Sequence, residues 1–214
     1  MNEAALAPYR WVSLNGLTGM RPGCPANGPP MRSRSRQAKW PPSRTHVWAA
    51  IEKAIAEHDW PGARVLIERE LARNPDSHFL LSRLALTYYE QFDYARALEI
   101  ESQAHALAPD CPLVLWGYAG ALDMLDRPQE AIAVYEEIIA RGINALATDP
   151  CGEGYARACG LFVDSLYRSA KCWRDLGDRE RARALVEECL AKRTAGCHSI
   201  YPDNEVQKFA NQLG

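Results

Sequence analysis

The side chains best suited to chemistry are the thiols and imidazoles, seven cysteines and five histidines in a chain of 214 residues. Thiolates combined with an imidazole suit zinc, and Cys151, Cys159, Cys172, Cys197 and His198 all fall in the last third of the sequence. Their spacing argues against a site. There is no C-x-x-C pair, and the gap from Cys151 to Cys159 is too wide for a zinc knuckle. We therefore expect no metal and no cofactor. Cys111, Cys172 and Cys189 fall at helix-period positions, where a free thiol behaves as a small apolar side chain. No phosphate-cradling G-x-x-x-x-G-K-[ST], H-E-x-x-H or G-x-S-x-G motif occurs. Gly152-Glu153-Gly154 is a lone glycine pair with no strand before it, and His58 and His105 are placed for packing or surface roles. With no catalytic residue to assign, the chain is read as a non-enzyme without a small-molecule substrate.

The elements that could position a site come in two parts. Residues 1–43 carry half of the 14 prolines, and Lys and Arg outnumber acids seven to one over residues 1–44, a net charge of +6. Pro interrupts helices and Gly raises the entropy cost of ordering, so a disordered basic leader is expected there. Residues 45–214 hold 18 basic and 26 acidic side chains, a net charge of −8 that repels polyanions. Nucleic acid is therefore not the expected partner of the body. Binding of nucleic acid or an anionic surface through the leader is kept as the alternative function.

Irregularly spaced cysteines do not read as a disulfide framework, which favours a reducing cytoplasm. No signal peptide is visible in the first twenty residues. The longest uncharged apolar run, 113–122, is about half the ~20 residues a membrane-spanning helix needs.

From Arg44 the pattern is helical and it repeats. Ala63, Ala97 and Ala131 are spaced by 34, as are Leu66, Ile100 and Val134, and Val47, Leu81 and Leu115. Asn74-Pro75-Asp76 returns 34 residues later as Ala108-Pro109-Asp110. After Gly142 the count breaks. It resumes at Leu166, Ala170 and Trp173, each 51 residues past its predecessor, one period plus 17. We read the insertion, 146–162, as a lengthened first helix of a fourth copy, with Thr148 or Asp149 capping it and Pro150 in its first turn. Each copy is a two-helix hairpin with apolar faces on both outer sides, so it needs neighbours. At the end of the chain, Val206, Phe209 and Leu213 share one face of a short helix, with Asn204 and Gln207 at capping-box spacing. That helix is expected to cap the array.

The period, the run Y-Y-E-Q-F-D-Y-A-R-A-L beginning at Tyr88 and the closing Pro109 resemble the tetratricopeptide repeat. The resemblance covers roughly residues 44–196, in units 44–77, 78–111, 112–145 and 163–196, with 197–214 as linker and capping helix. It implies close approach of the paired helices at Ala85 with Ala97, Ala119 with Ala131, and Ala170 with Ala182. It also implies an all-α fold, an α-solenoid of about four hairpins whose first helices line a groove for a peptide or helix of another protein. The first copy departs with Ile51 against Ala63, and the third offers Asp126-Arg127-Pro128 in place of a Gly-Asp turn.

Carried over place by place, the groove residues are Trp48, Phe79, Leu86, Tyr89, Trp116, Tyr167, Lys171 and Arg174. Only Lys171 and Arg174 are basic, so the family's clamp for C-terminal carboxylates is not expected. Aromatic and aliphatic groove residues fit an apolar peptide or amphipathic helix, making the expected function that of a protein-binding scaffold or adaptor. Two other readings stay open: Trp48 and Trp116 pack on neighbouring helices, or the groove is filled by the helix over 153–174 or by the leader.

Overall fold

The computed structural model describes residues 46–214; the basic leader lies outside them. The described residues form nine helices and no strand: α1 (His46–Ala56), α2 (Trp60–Leu71), α3 (His78–Tyr89), α4 (Tyr94–Leu107), α5 (Pro112–Met124), α6 (Pro128–Thr148), α7 (Tyr155–Asp175), α8 (Arg179–Thr194) and α9 (Asp203–Leu213). Each helix packs on its predecessor, and the first helices also touch across repeats, α3 on α5 and α5 on α7. This is an all-α solenoid.

The 34-residue period is written in the turns between paired helices. His58, Phe92, Asp126 and Gly177 all have positive φ, from 58° to 89°. One left-handed residue reverses the chain in each copy, and only the fourth uses glycine, the residue with least steric cost there. The next residue caps the second helix. Asp59, Asp93 and Asp178 accept from the backbone N–H three residues on, at 3.0 to 3.1 Å. The third copy makes the same turn with Asp126, but Arg127 takes the cap position without a side-chain bond and Pro128 supplies the first turn. The paired alanines 85/97, 119/131 and 170/182 are all buried, as close helix approach requires.

The insertion follows the expectation in part. The first helix of the fourth copy is lengthened, with 21 residues in α7 against 12 in α3 and 13 in α5, but Thr148 and Asp149 do not cap it. The insertion's first part continues α6 past Gly142, where φ is 72° and ψ is 161°, and Asp149 closes that helix. A turn over 149–154 follows, and α7 begins at Tyr155 after Gly154. The cause is the engagement of Asp149: Oδ1 accepts the Cys151 N–H at 2.8 Å and Oδ2 pairs with Arg141. Its carboxylate therefore shapes a turn rather than capping a helix. The capping helix is present with Val206, Phe209 and Leu213 buried. The capping box is not, because Pro202 holds the N-cap and Gln207 donates along the helix to Asn211.

Candidate partner-binding face

Trp48, Phe79 and Arg83 join α1 to α3. The rings of Trp48 and Phe79 are 4.7 Å apart, and the Arg83 guanidinium lies 4.9 Å from the Phe79 ring while donating to Glu52 at 2.9 Å. Phe79 is buried and Trp48 half-buried. One turn from the end of α3, Leu86 and Tyr89 face α5 across a cleft completed by Ser82, Leu113, Trp116, Gly117 and Gly120. The cleft encloses about 40 Å³, room for a side-chain tip rather than for a small molecule. Trp116 is buried and packs on Tyr135 of α6 at 5.7 Å, as the alternative reading of that residue has it. Tyr89 is half-buried with its ring edge-on to Tyr94 at 5.0 Å.

The cleft also contains Glu101 of α4. Its Oε2 accepts from Ser82 Oγ at 2.9 Å. A Cβ at position 117 would come within 2.2 Å of its Oε1, so any larger residue there would have to displace the Glu101 carboxyl. Burial pushes the Glu101 carboxyl up to about 8, opposed by the Ser82 hydrogen bond. The cleft is consequently uncharged at this residue near neutral pH.

The fourth copy differs from expectation. Tyr167 does not present its ring to a partner. It is buried against Tyr201 at 4.7 Å and Phe209 at 5.5 Å, and its hydroxyl donates to Glu205. Lys171 lies over the Tyr167 ring, and Arg174 lies over Phe209 while pairing with Asp175. Ser199 donates to the buried Asp164, and Arg168 bonds both Tyr201 and Asp123. The chain's own return through 199–209 covers Tyr167. Ser199 and Tyr201 were missed because no periodic signal assigns a connecting segment to a face, and Arg168 of α7 because its partners, Asp123 and Tyr201, lie 45 and 33 residues away.

Of the ligand types weighed for a metal, Cys159 pairs with Cys197 and Cys172 lies beside Asp123; Cys189, placed as a small apolar side chain, is buried and donates to the Val163 carbonyl. Among the described residues, the one group of three His, Cys or carboxylate ligands joins Cys151 to His78 and Cys111.

Profiles described as tetratricopeptide repeat match residues 88–144 and 164–193, the segments that hold the α3–α6 boundary turns and the fourth hairpin. The chain carries tetratricopeptide repeats over these two segments. Among solved structures, the MamA protein is similar at 18% identity and a TM-score of 0.56, covering 71% of this chain and 73% of that one. The nearly identical TPR-like repeats of a putative kinesin light chain from Podosopora anserina are similar at 16% identity and 0.56, covering 78% and 92%. At such identities the likeness establishes the fold. No curated protein matches the sequence significantly. A tetratricopeptide array is a protein–protein interaction module, and its fold is generally a non-catalytic scaffold. No helix among the described residues is long and apolar enough to cross a membrane.

Proposed function

We propose that this tetratricopeptide array is a non-enzymatic adaptor that binds a peptide or helix of another protein along the face formed by α1, α3 and α5. The cleft between α3 and α5 carries the reading. Leu86, Tyr89, Leu113 and Trp116 give it apolar walls, and a neutral Glu101 beside Ser82 adds polar groups without net charge. Such a cleft takes one apolar anchor side chain, the usual centre of a protein interface. The site is narrower than the eight-residue groove, because Tyr167 and Arg174 are engaged by the C-terminal segment and Lys171 lies over the Tyr167 ring. The six described cysteines are free thiols, which supports a reducing compartment and a cytoplasmic adaptor.

The test is capture of partners from lysate by the full chain, identified by mass spectrometry, against the pair Leu86→Gln with Tyr89→Ala. Partners lost from the variant while its helical circular dichroism is retained support the cleft. Capture that survives the pair removes it as the site.

A further inference from the structure

His78 opens α3, Cys111 is the N-cap residue of α5, and Cys151 stands in the turn between α6 and α7. They are 33 and 40 residues apart in sequence, yet their imidazole nitrogen and two sulfurs all lie within 4.8 Å of one another. Helix stacking explains the first two. His78 and Cys111 occupy nearly equivalent places in successive repeats, so α3 and α5 begin side by side. Cys151 arrives only because the insertion turns back onto that edge.

The turn is held there by a brace. Arg141 donates to the Asp110 carbonyl, next to Cys111, at 2.5 Å, and pairs with the Asp149 carboxylate. Asp149 in turn accepts the Cys151 N–H. One guanidinium therefore fixes the backbone beside both cysteines. Gly152 keeps the turn tight, since a Cβ there would come within 2.6 Å of the Leu146 carbonyl oxygen.

We propose that His78, Cys111 and Cys151 form a binding site for a thiophilic cation of the zinc type, with the fourth coordination position left to water or an added ligand. The distances fit. In a tetrahedral site with metal–sulfur bonds of about 2.3 Å and a metal–nitrogen bond of about 2.0–2.1 Å, sulfur and nitrogen are about 3.5 Å apart. Cys151 Sγ and His78 Nε2 are separated by 3.5 Å. Two thiolates and an imidazole select soft or borderline cations over calcium and magnesium, which prefer oxygen. Two thiolates also match a divalent charge. The Cys111 and Cys151 sulfurs lie within 4.8 Å of each other and of the His78 imidazole. A cation bound between them releases both thiol protons. Bound there, it ties the starts of α3 and α5 to the inter-repeat turn.

The full chain, stripped by chelator and kept reduced, is titrated with cobalt(II) as a visible probe, its free thiols confirmed by thiol titration. The expected result is absorption typical of tetrahedral thiolate-bound cobalt, saturating at one equivalent and bleached by one equivalent of zinc, with a rise in Tm on zinc addition. Cys111 is buried and its variant can misfold, so the half-buried ligands carry the test. Cys151→Ser and His78→Ala each lose the absorption, while Cys159→Ser, in the other thiol pair, retains it. A wild-type chain with free thiols and no thiolate–cobalt absorption overturns the proposal. So does absorption that persists in Cys151→Ser.

Discussion

Glu101 gives the structure a pH dependence that can be worked through. Its carboxyl is buried between α3, α4 and α5, with Ser82 as its hydrogen-bond donor and Gly117 pressed against it. Burial raises it from an ordinary 4.5 to about 8, while Ser82 and the Arg83 charge pull the other way. The folded chain therefore keeps this proton up to about pH 8, whereas the unfolded chain releases it above about 4.5. The stability linked to the bound proton is fully present below pH 4.5 and is lost as pH rises through the folded value. Each pKa unit of difference is worth about 1.36 kcal/mol, so between pH 5 and pH 8 the group removes about 3–4 kcal/mol.

Glu101→Gln keeps the shape and an acceptor for Ser82 but has no proton to lose. Urea unfolding followed by circular dichroism at pH 5, 6, 7 and 8 should show the variant gaining on the wild type by roughly 1 kcal/mol per pH unit. Asp164 and Glu90, both raised by burial to about 7, titrate in both proteins and cancel in the difference. Parallel pH profiles for the two proteins would refute a buried, neutral Glu101.

Two further substitutions probe the fold. Gly142→Ala puts a side chain where φ is 72° and ψ is 161°, with no atom within 4 Å of the new Cβ; strain alone should cost on the order of 1–3 kcal/mol in chemical denaturation, and unchanged stability would mean the α6 break is not needed. Tyr167→Ala removes a buried ring from between Tyr201 and Phe209 and should cost about 3–5 kcal/mol, with faster proteolysis near α9. A cost below about 1 kcal/mol would show that the C-terminal segment does not depend on that contact.

Much of the architecture was legible before any coordinates. The alanine pairs and the apolar face of α9 obey rules that act over a few residues or between adjacent repeats; the 34-residue period exposes the first and helical spacing the second. The insertion was read only in part, because helical phase continues from 153 into α7 but says nothing of where Asp149 spends its carboxylate. The candidate groove was read less well. Places in a repeat predict which side chains point toward a face, and Leu86, Tyr89 and Trp116 do meet in one cleft. They cannot predict that Tyr201 and Phe209 return to cover Tyr167.

The sequence by itself determined the repeat, its hairpin turns and the need for neighbours, since each follows from helix periodicity and the burial of two apolar faces. Only the tertiary structure decided which groove residues remain at the cleft, how a carboxyl from α4 comes to lie in it, and that His78, Cys111 and Cys151 converge. Those outcomes depend on contacts between different helices, 19 residues apart for Ser82 with Glu101 and 73 for His78 with Cys151, or on a connection without a period of its own. Spacing along the chain carries no record of them; the stacking of the helices does.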